Sequence, residues 1–360
     1  MRPHGCISAK ARRNKAVIQT TTIGSYPKPD YLRIPNFVPK QPDPTRRYTE
    51  YLNSQTPEDV ALLDKATHDN VRHQVDAGID IPTDGETPRS HYVHYHLRHL
   101  GGIDFKNLSE RVTRGGAWTA RFPTIVGKIE VGPHFLVDDW KRAQKVTTNP
   151  VKMTLPGPMT IIDSVVDNHY RDERALATDL ADALNYEIRA LDQAGCRFIQ
   201  IDEPVFARKA STALTWGGEM LERAFDGVSD QVKRVVHICC GYPSAVDLDD
   251  FPKAPREAYF ELARMLDQSG VDCVSIEDAH RHNALELLER FPTTSVILGV
   301  VQIAATRIET TDEIARRLVQ ALQHIDKGRL LAGPDCGLAM LDRAIVSAKL
   351  RNMCEAAKSL

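Results

Sequence analysis

Short β-branched or apolar runs recur along the chain, each closed by Gly, Pro, Asp or Glu and followed by a stretch with apolar residues at three- and four-residue spacings. Eight runs read as strands: 20–27 (TTTIGSYP), 79–86 (IDIPTDGE), 152–158 (KMTLPGP), 198–204 (FIQIDEP), 234–241 (RVVHICCG), 272–278 (DCVSIED), 295–301 (SVILGVV) and 329–337 (RLLAGPDCG). Residues 175–195, 258–270 and 311–326 carry the clearest helical periodicity between them. Eight strands alternating with helices predict an α/β fold of the (β/α)8 TIM-barrel type, with a doubly wound open sheet as the competing architecture. The Pro- and Tyr-rich stretch 27–56 and the stretch 101–150, which contains a hairpin pattern (GGAWTARFPTIVGKIEVG), exceed a minimal barrel. Both are expected to be excursions over the C-terminal mouth. No repeat, linker or heptad run marks a second domain, so residues 17–360 are expected to form one barrel.

The polar ends of these runs hold the candidate chemistry. Ser25, Glu86, Asp202, His237, Cys239, Glu277 and Cys336 all fall at C-terminal strand ends, where barrels of this kind place their active sites. His237 and Cys239 are alternate residues of one strand and point the same way. With Glu277 ending the next strand and Cys336 in the turn after the last, they offer one nitrogen, two sulfurs and one carboxylate, a tetrahedral donor set suited to Zn2+. A thiolate-rich zinc site lowers the pKa of a bound substrate thiol. The His-Glu-x-x-His helix of a metallopeptidase is absent. Cys240 is expected on the opposite side of the strand, and Cys196, Cys273 and Cys354 as structural or surface thiols. For any one ligand taken alone, the competing reading is a satisfied core histidine or a small buried thiol.

Composition narrows the partners. The 360 residues carry 46 basic and 48 acidic side chains, a net charge of -2, which provides no field for nucleic acid or an anionic membrane. Seven cysteines spread over this length do not form a disulfide framework and fit a reducing compartment. The first 16 residues are basic and lack an apolar signal core, and no apolar run reaches a membrane-spanning length. The expectation is a cytoplasmic enzyme with a small-molecule substrate and a disordered segment at 1–16.

These residues together resemble the C-terminal catalytic barrel of cobalamin-independent methionine synthase, from about residue 17 onward. The motifs that carry the likeness are TTTIGSYP (20–27), DGE (84–86), LPGPMTI (155–161), QIDEP (200–204), His237-x-Cys239, the Ser-Ile-Glu at 275–277 and PDCG (334–337). The resemblance implies the same four zinc ligands, His237, Cys239, Glu277 and Cys336, with Glu277 the most easily loosened. It further implies a homocysteine pocket in which Ile23 and Ser25 hold the carboxylate while Glu86 and Asp202 hold the ammonium group. Glu277 and Asp202 are then the expected catalytic carboxylates; the competing role for Glu86 and Asp202 is strand-end capping or salt bridging. Arg89, His91, His94 and His96 follow closely and are expected in a solvated loop, the alternative being the barrel mouth.

Three positions depart from the family pattern. The expected catalytic histidine is replaced in Gln302-Ile303-Ala304-Ala305-Thr306, a folate-flanking tryptophan by Ser164, and a lysine by Ala339. All three fall on the methyl-donor side. The resemblance therefore points to a short, barrel-only branch: a zinc-dependent thiol S-methyltransferase acting on homocysteine, with a donor that need not be folate and could be a corrinoid protein. The alternatives are an alkyltransferase adding a thiol such as coenzyme M to an epoxide, a decarboxylase of the uroporphyrinogen type, which needs no zinc, and a non-catalytic thiol or metal carrier.

Overall fold

The computed structural model describes residues 17–34, 44–113, 118–248 and 251–360; the expectation for residues 1–16 lies outside them. The described strands, in chain order, are β1 (Gln19–Thr20), β2 (Leu100–Thr113), β3 (Trp118–Val131), β4 (Lys152–Pro156), β5 (Val166–Asp167), β6 (Phe198–Asp202), β7 (Lys233–Ile238), β8 (Cys273–Ile276), β9 (Ser295–Val301) and β10 (Leu330–Pro334). Seven are parallel neighbours in the order β1-β10-β9-β8-β7-β6-β4. The run at 79–83 supplies the eighth stave through single bridges from Thr21 to Ile81 and from Thr83 to Lys152. The ring closes as a (β/α)8 barrel, not as an open doubly wound sheet.

Side chains do much of the closing where the ladder is thin. Thr21 Oγ1 donates to Ile81 O at 2.8 Å, and Thr83 Oγ1 to Gly24 O at 2.9 Å. The buried Gln74 carboxamide, from the helix Pro57–Asp76, accepts from Thr22 Oγ1 at 2.6 Å and from Thr83 N at 3.0 Å. Threonine hydroxyls and one amide thus satisfy groups that a longer β1 would have paired. The barrel core strands are buried on both faces, as a parallel sheet under helices requires. Ile23, Val235, Cys273 and Ile297 form a separate apolar cluster with Leu331 against it, drawn from β7 to β10 and the segment just past β1, as a side-chain layer inside a barrel would be.

The stretch 101–150 is only partly an excursion. It contains the long antiparallel pair β2–β3, extended by β5, and also a regular barrel helix, Leu136–Gln144. Arg111 fastens the hairpin to the C-terminal end of the barrel, donating to Ile162 O at 2.9 Å and Val165 O at 2.8 Å just beyond β4. Part of the 27–56 stretch forms the helix Pro44–Asn53, whose buried Tyr48 donates to Pro88 O at 2.8 Å beside the site loop; residues 35–43 lie outside the described ones. No helix among the described residues is long and apolar enough to cross a membrane.

Candidate metal and thiol site

Strand register builds the site. Asp202 on β6 pairs with His237 on β7, and His237 with Ser275 on β8, so the three lie side by side at one level of the barrel. His237 Nδ1 meets Ser275 Oγ at 2.9 Å, which leaves Nε2 buried and without a partner among the described residues. Burial, with Lys152 in electrostatic reach, lowers the His237 pKa to about 3, so the ring is neutral at physiological pH. One ligand atom each from His237, Cys239 and Cys336 lies within 4.8 Å of the others. A tetrahedral ion with bonds of ~2.0–2.3 Å holds its ligands roughly 3.5 Å apart, so a small contraction closes this trio on a metal. The orphaned imidazole nitrogen and two facing thiols fit a zinc-type ion. A hydrogen bond between Cys336 and Cys239, together with burial, pushes the Cys336 thiol well up, a shift a bound cation would reverse.

Glu277 departs from the expected picture. It is buried one strand along, within electrostatic reach of Cys336, but its oxygens are not among the clustered ligand atoms. Oε1 accepts from Cys240 N at 3.0 Å and Oε2 from Lys253 Nζ at 2.7 Å. Cys240 lies among the core side chains, apart from the ligand trio, as strand alternation requires.

The expected substrate groups gather beside the trio. Asp202 is buried, and its Oδ1 accepts from Gln200 Nε2 at 2.7 Å, while the same amide donates to Ile23 O at 2.8 Å. Burial and then the neighbouring Glu86 raise the Asp202 pKa well above its ordinary value. Glu86 is raised by burial as well, against the opposing pull of Arg89. Two buried carboxylates repelling one another define a place for a cation. Glu86 is held in a left-handed conformation, φ 50°, with Oε1 accepting from Thr154 Oγ1 at 3.1 Å. Strain of this kind persists where surrounding contacts fix a side chain for a purpose. A Cβ on Gly24 would lie 2.6 Å from Glu86 Oε1, so that glycine makes room for the carboxylate. Ser25 packs against Gly337 so closely that a Cβ there would meet Ser25 Oγ at 2.1 Å. This contact ties the first strand end to the Cys336 turn.

The cluster after Glu86 is not solvated. Arg89, His94 and His96 are buried, with Arg89 donating to Thr154 O at 3.0 Å and Thr154 Oγ1 at 2.9 Å. The solvated-loop expectation fails because Arg89 is bonded to β4, His94 packs against the β2–β3 hairpin and His96 packs against Phe135. His94 stands edge-on to Phe105 and Phe122 and contacts Ser164 O at 3.3 Å, where a tryptophan was expected. His91 stacks on His94 at 4.2 Å and on Tyr92 at 5.6 Å between ring centroids. At the position of the lost histidine, a different one bonds the backbone: His280 Nε2 accepts from Ile303 N at 3.0 Å and Ala304 N at 3.2 Å. Burial lowers His280 and His94 to about 4 each.

Two tyrosines complete the wall and were not picked out from the sequence. Tyr92 is raised by burial, with Asp202, Cys239, Glu86 and Cys336 in electrostatic reach. Tyr242, raised by burial and then by Cys336, donates to Gly337 O at 3.3 Å. Their only signal was position: one lies six residues after Glu86, the other three after Cys239.

Comparison with known proteins bears on this assembly directly. The family described as "Cobalamin-independent synthase, Catalytic domain" matches residues 18–359. A methionine synthase of Saccharolobus solfataricus is 32% identical over 349 residues, covering 95% of this chain and 94% of that protein. One from Sulfurisphaera tokodaii is 30% identical over 344 residues, covering 95% and 92%. The solved B12-independent methionine synthase from Shewanella sp. W3-18-1, in complex with selenomethionine, superimposes with a TM-score of 0.84 at 32% identity over 96% of this chain and 98% of that one. With that match across nearly its whole length, and with His237, Cys239 and Cys336 grouped in its barrel, the chain belongs to the cobalamin-independent methionine synthase family.

Proposed function

We propose that residues 17–360 form one catalytic unit, a zinc-dependent homocysteine S-methyltransferase that makes methionine. The observation that carries this reading is the convergence of His237, Cys239 and Cys336 beside the buried Glu86 and Asp202 pair. His237, Cys239 and Cys336, with Glu277, are the proposed zinc ligands. Zinc, when bound, supplies the positive charge that keeps a substrate thiol deprotonated at neutral pH.

The protein's own groups do the rest. Asp202 and Glu86 hold the substrate ammonium, and Ile23 and Ser25 receive its carboxylate, which orients the sulfur toward the trio. Fixing nucleophile and acceptor groups in one geometry removes much of the entropic barrier to transfer. Tyr92 and Tyr242, both held protonated, line the approach as neutral hydrogen-bond donors. The retained carboxylate pair favours an amino-acid thiol over a sulfonated one such as coenzyme M.

The donor side supports a methyl source other than folate. Ala304 and Ser164 offer neither an imidazole acid nor a stacking ring, and His94 and His280 stay neutral near pH 7. A folate nitrogen needs a proton as it leaves, whereas a methyl-cobalt bond releases its methyl cation and keeps the electron pair on cobalt. A corrinoid protein is the proposed donor, and seven cysteines too sparse for a disulfide framework support a cytoplasmic setting. The test is incubation of zinc-loaded protein and homocysteine with methyl-folates, methylcobalamin and epoxides, followed by mass spectrometry. Methionine from methylcobalamin supports the reading; efficient turnover of methyl-folate alone overturns the donor assignment.

A further inference from the structure

Lys253 belongs to the loop after β7, and its side chain is only 10% exposed. Its ammonium sits 2.7 Å from Glu277 Oε2 and 4.3 Å from the Phe251 ring centroid. Cys240 N holds the other oxygen of the same carboxylate at 3.0 Å. Both oxygens of Glu277 are therefore engaged, by a cation and a backbone amide, and neither is among the clustered ligand atoms. A backbone amide commonly supports a ligating carboxylate, but the Lys253 ammonium is a second cation for the same charge.

From this pairing we infer that Lys253 is a positioning residue that competes with the metal for Glu277. The inference rests on Glu277 being the fourth ligand. The Lys253–Cys240 pocket holds Glu277 off the metal and thereby leaves a coordination place for the substrate thiol. No bond in the substrate forms or breaks in this step; a carboxylate exchanges one cationic partner for another.

Competition and ordinary ligand support give opposite signs. A residue that merely orients a metal ligand lowers metal affinity about 10–100-fold when removed. A competitor raises it, because its loss leaves the metal-free carboxylate without a counter-charge and removes a cation from beside the ion. Lys253→Met should bind zinc about tenfold more tightly in a chelator competition, while homocysteine binding to the zinc-loaded protein weakens by a similar factor. Lys253→Arg should restore both values toward wild type, and Lys253→Gln serves if the methionine variant fails to fold. The Lys253 effect should vanish in a Glu277→Gln background. Unchanged or weaker zinc binding in Lys253→Met and Lys253→Gln overturns the proposal. Zinc affinity unaffected by Glu277→Gln alone would remove Glu277 from the ligand set, and the proposal with it. Weakening in Glu277→Gln without tightening in the Lys253 variants removes the competition alone.

Discussion

The imidazole of His237 is held by Ser275: the 2.9 Å contact between Nδ1 and the serine hydroxyl leaves the buried Nε2 as the unpartnered nitrogen of a ring grouped with Cys239 and Cys336. For Nε2 to bind a metal, Nδ1 must carry the proton and donate it to Ser275 Oγ, so the serine selects the tautomer. Ser275→Ala should therefore lower zinc affinity about 10–100-fold with little change in fold, as measured by chelator competition and circular dichroism. Undiminished affinity would mean that the strand alone orients the ring.

Zinc uptake should release protons. Cys336 is pushed well above its ordinary value, so it is a thiol without the metal, whereas His237, at about 3, has no proton to lose at neutral pH. Cys336 should thus give up its proton on binding, so proton release should accompany zinc uptake. Calorimetry in buffers of different ionisation enthalpy measures the number, and release near zero would place the metal elsewhere.

The barrel was legible in the sequence because its eight runs are short, β-branched and closed by turn residues. The ladder was less so. Residues 20–27 and 79–86 read as full strands, but only Gln19–Thr20 and two isolated bridges form there. Thr21, Thr22, Thr83 and Gln74 take over the bonding through side chains separated by up to 61 positions, which no local pattern reveals. The convergence of His237, Cys239 and Cys336 was readable because strand alternation and strand ends fix direction. Glu277's partner was not, since Lys253 lies 24 residues back in an irregular loop. The histidines misled because their polarity suggested water, whereas His94 packs against Phe105 and Phe122 of the β2–β3 hairpin and His96 against Phe135.

Asp202→Asn should separate substrates by their amino group. If Asp202 and Glu86 share the ammonium, the substitution costs roughly 2–5 kcal/mol of binding for homocysteine and much less for a thiol lacking that group. Equal losses for both thiols, in equilibrium binding to zinc-loaded protein, would assign Asp202 to the barrel mouth instead.

The same pair predicts a pH dependence. Asp202 and Glu86 are raised by burial, so in the free protein they take up protons at a higher pH than exposed acids do. An ammonium binds the ionised form. Preference for homocysteine over its deaminated counterpart should be full above the raised values and decline as pH falls through them, starting above the ~3.9–4.3 of ordinary carboxylates. Taking the ratio of the two affinities cancels effects on the metal, which both thiols share. A ratio constant down to pH ~4 would contradict the assignment.

The most direct measurement is methionine formation by zinc-loaded wild-type and Cys336→Ser proteins, each given homocysteine and methylcobalamin, with the product identified by mass spectrometry. Methionine is expected from the wild type, and its loss, together with that of the zinc, in Cys336→Ser. Full zinc content and undiminished methionine formation in that variant would contradict a reaction centred on His237, Cys239 and Cys336.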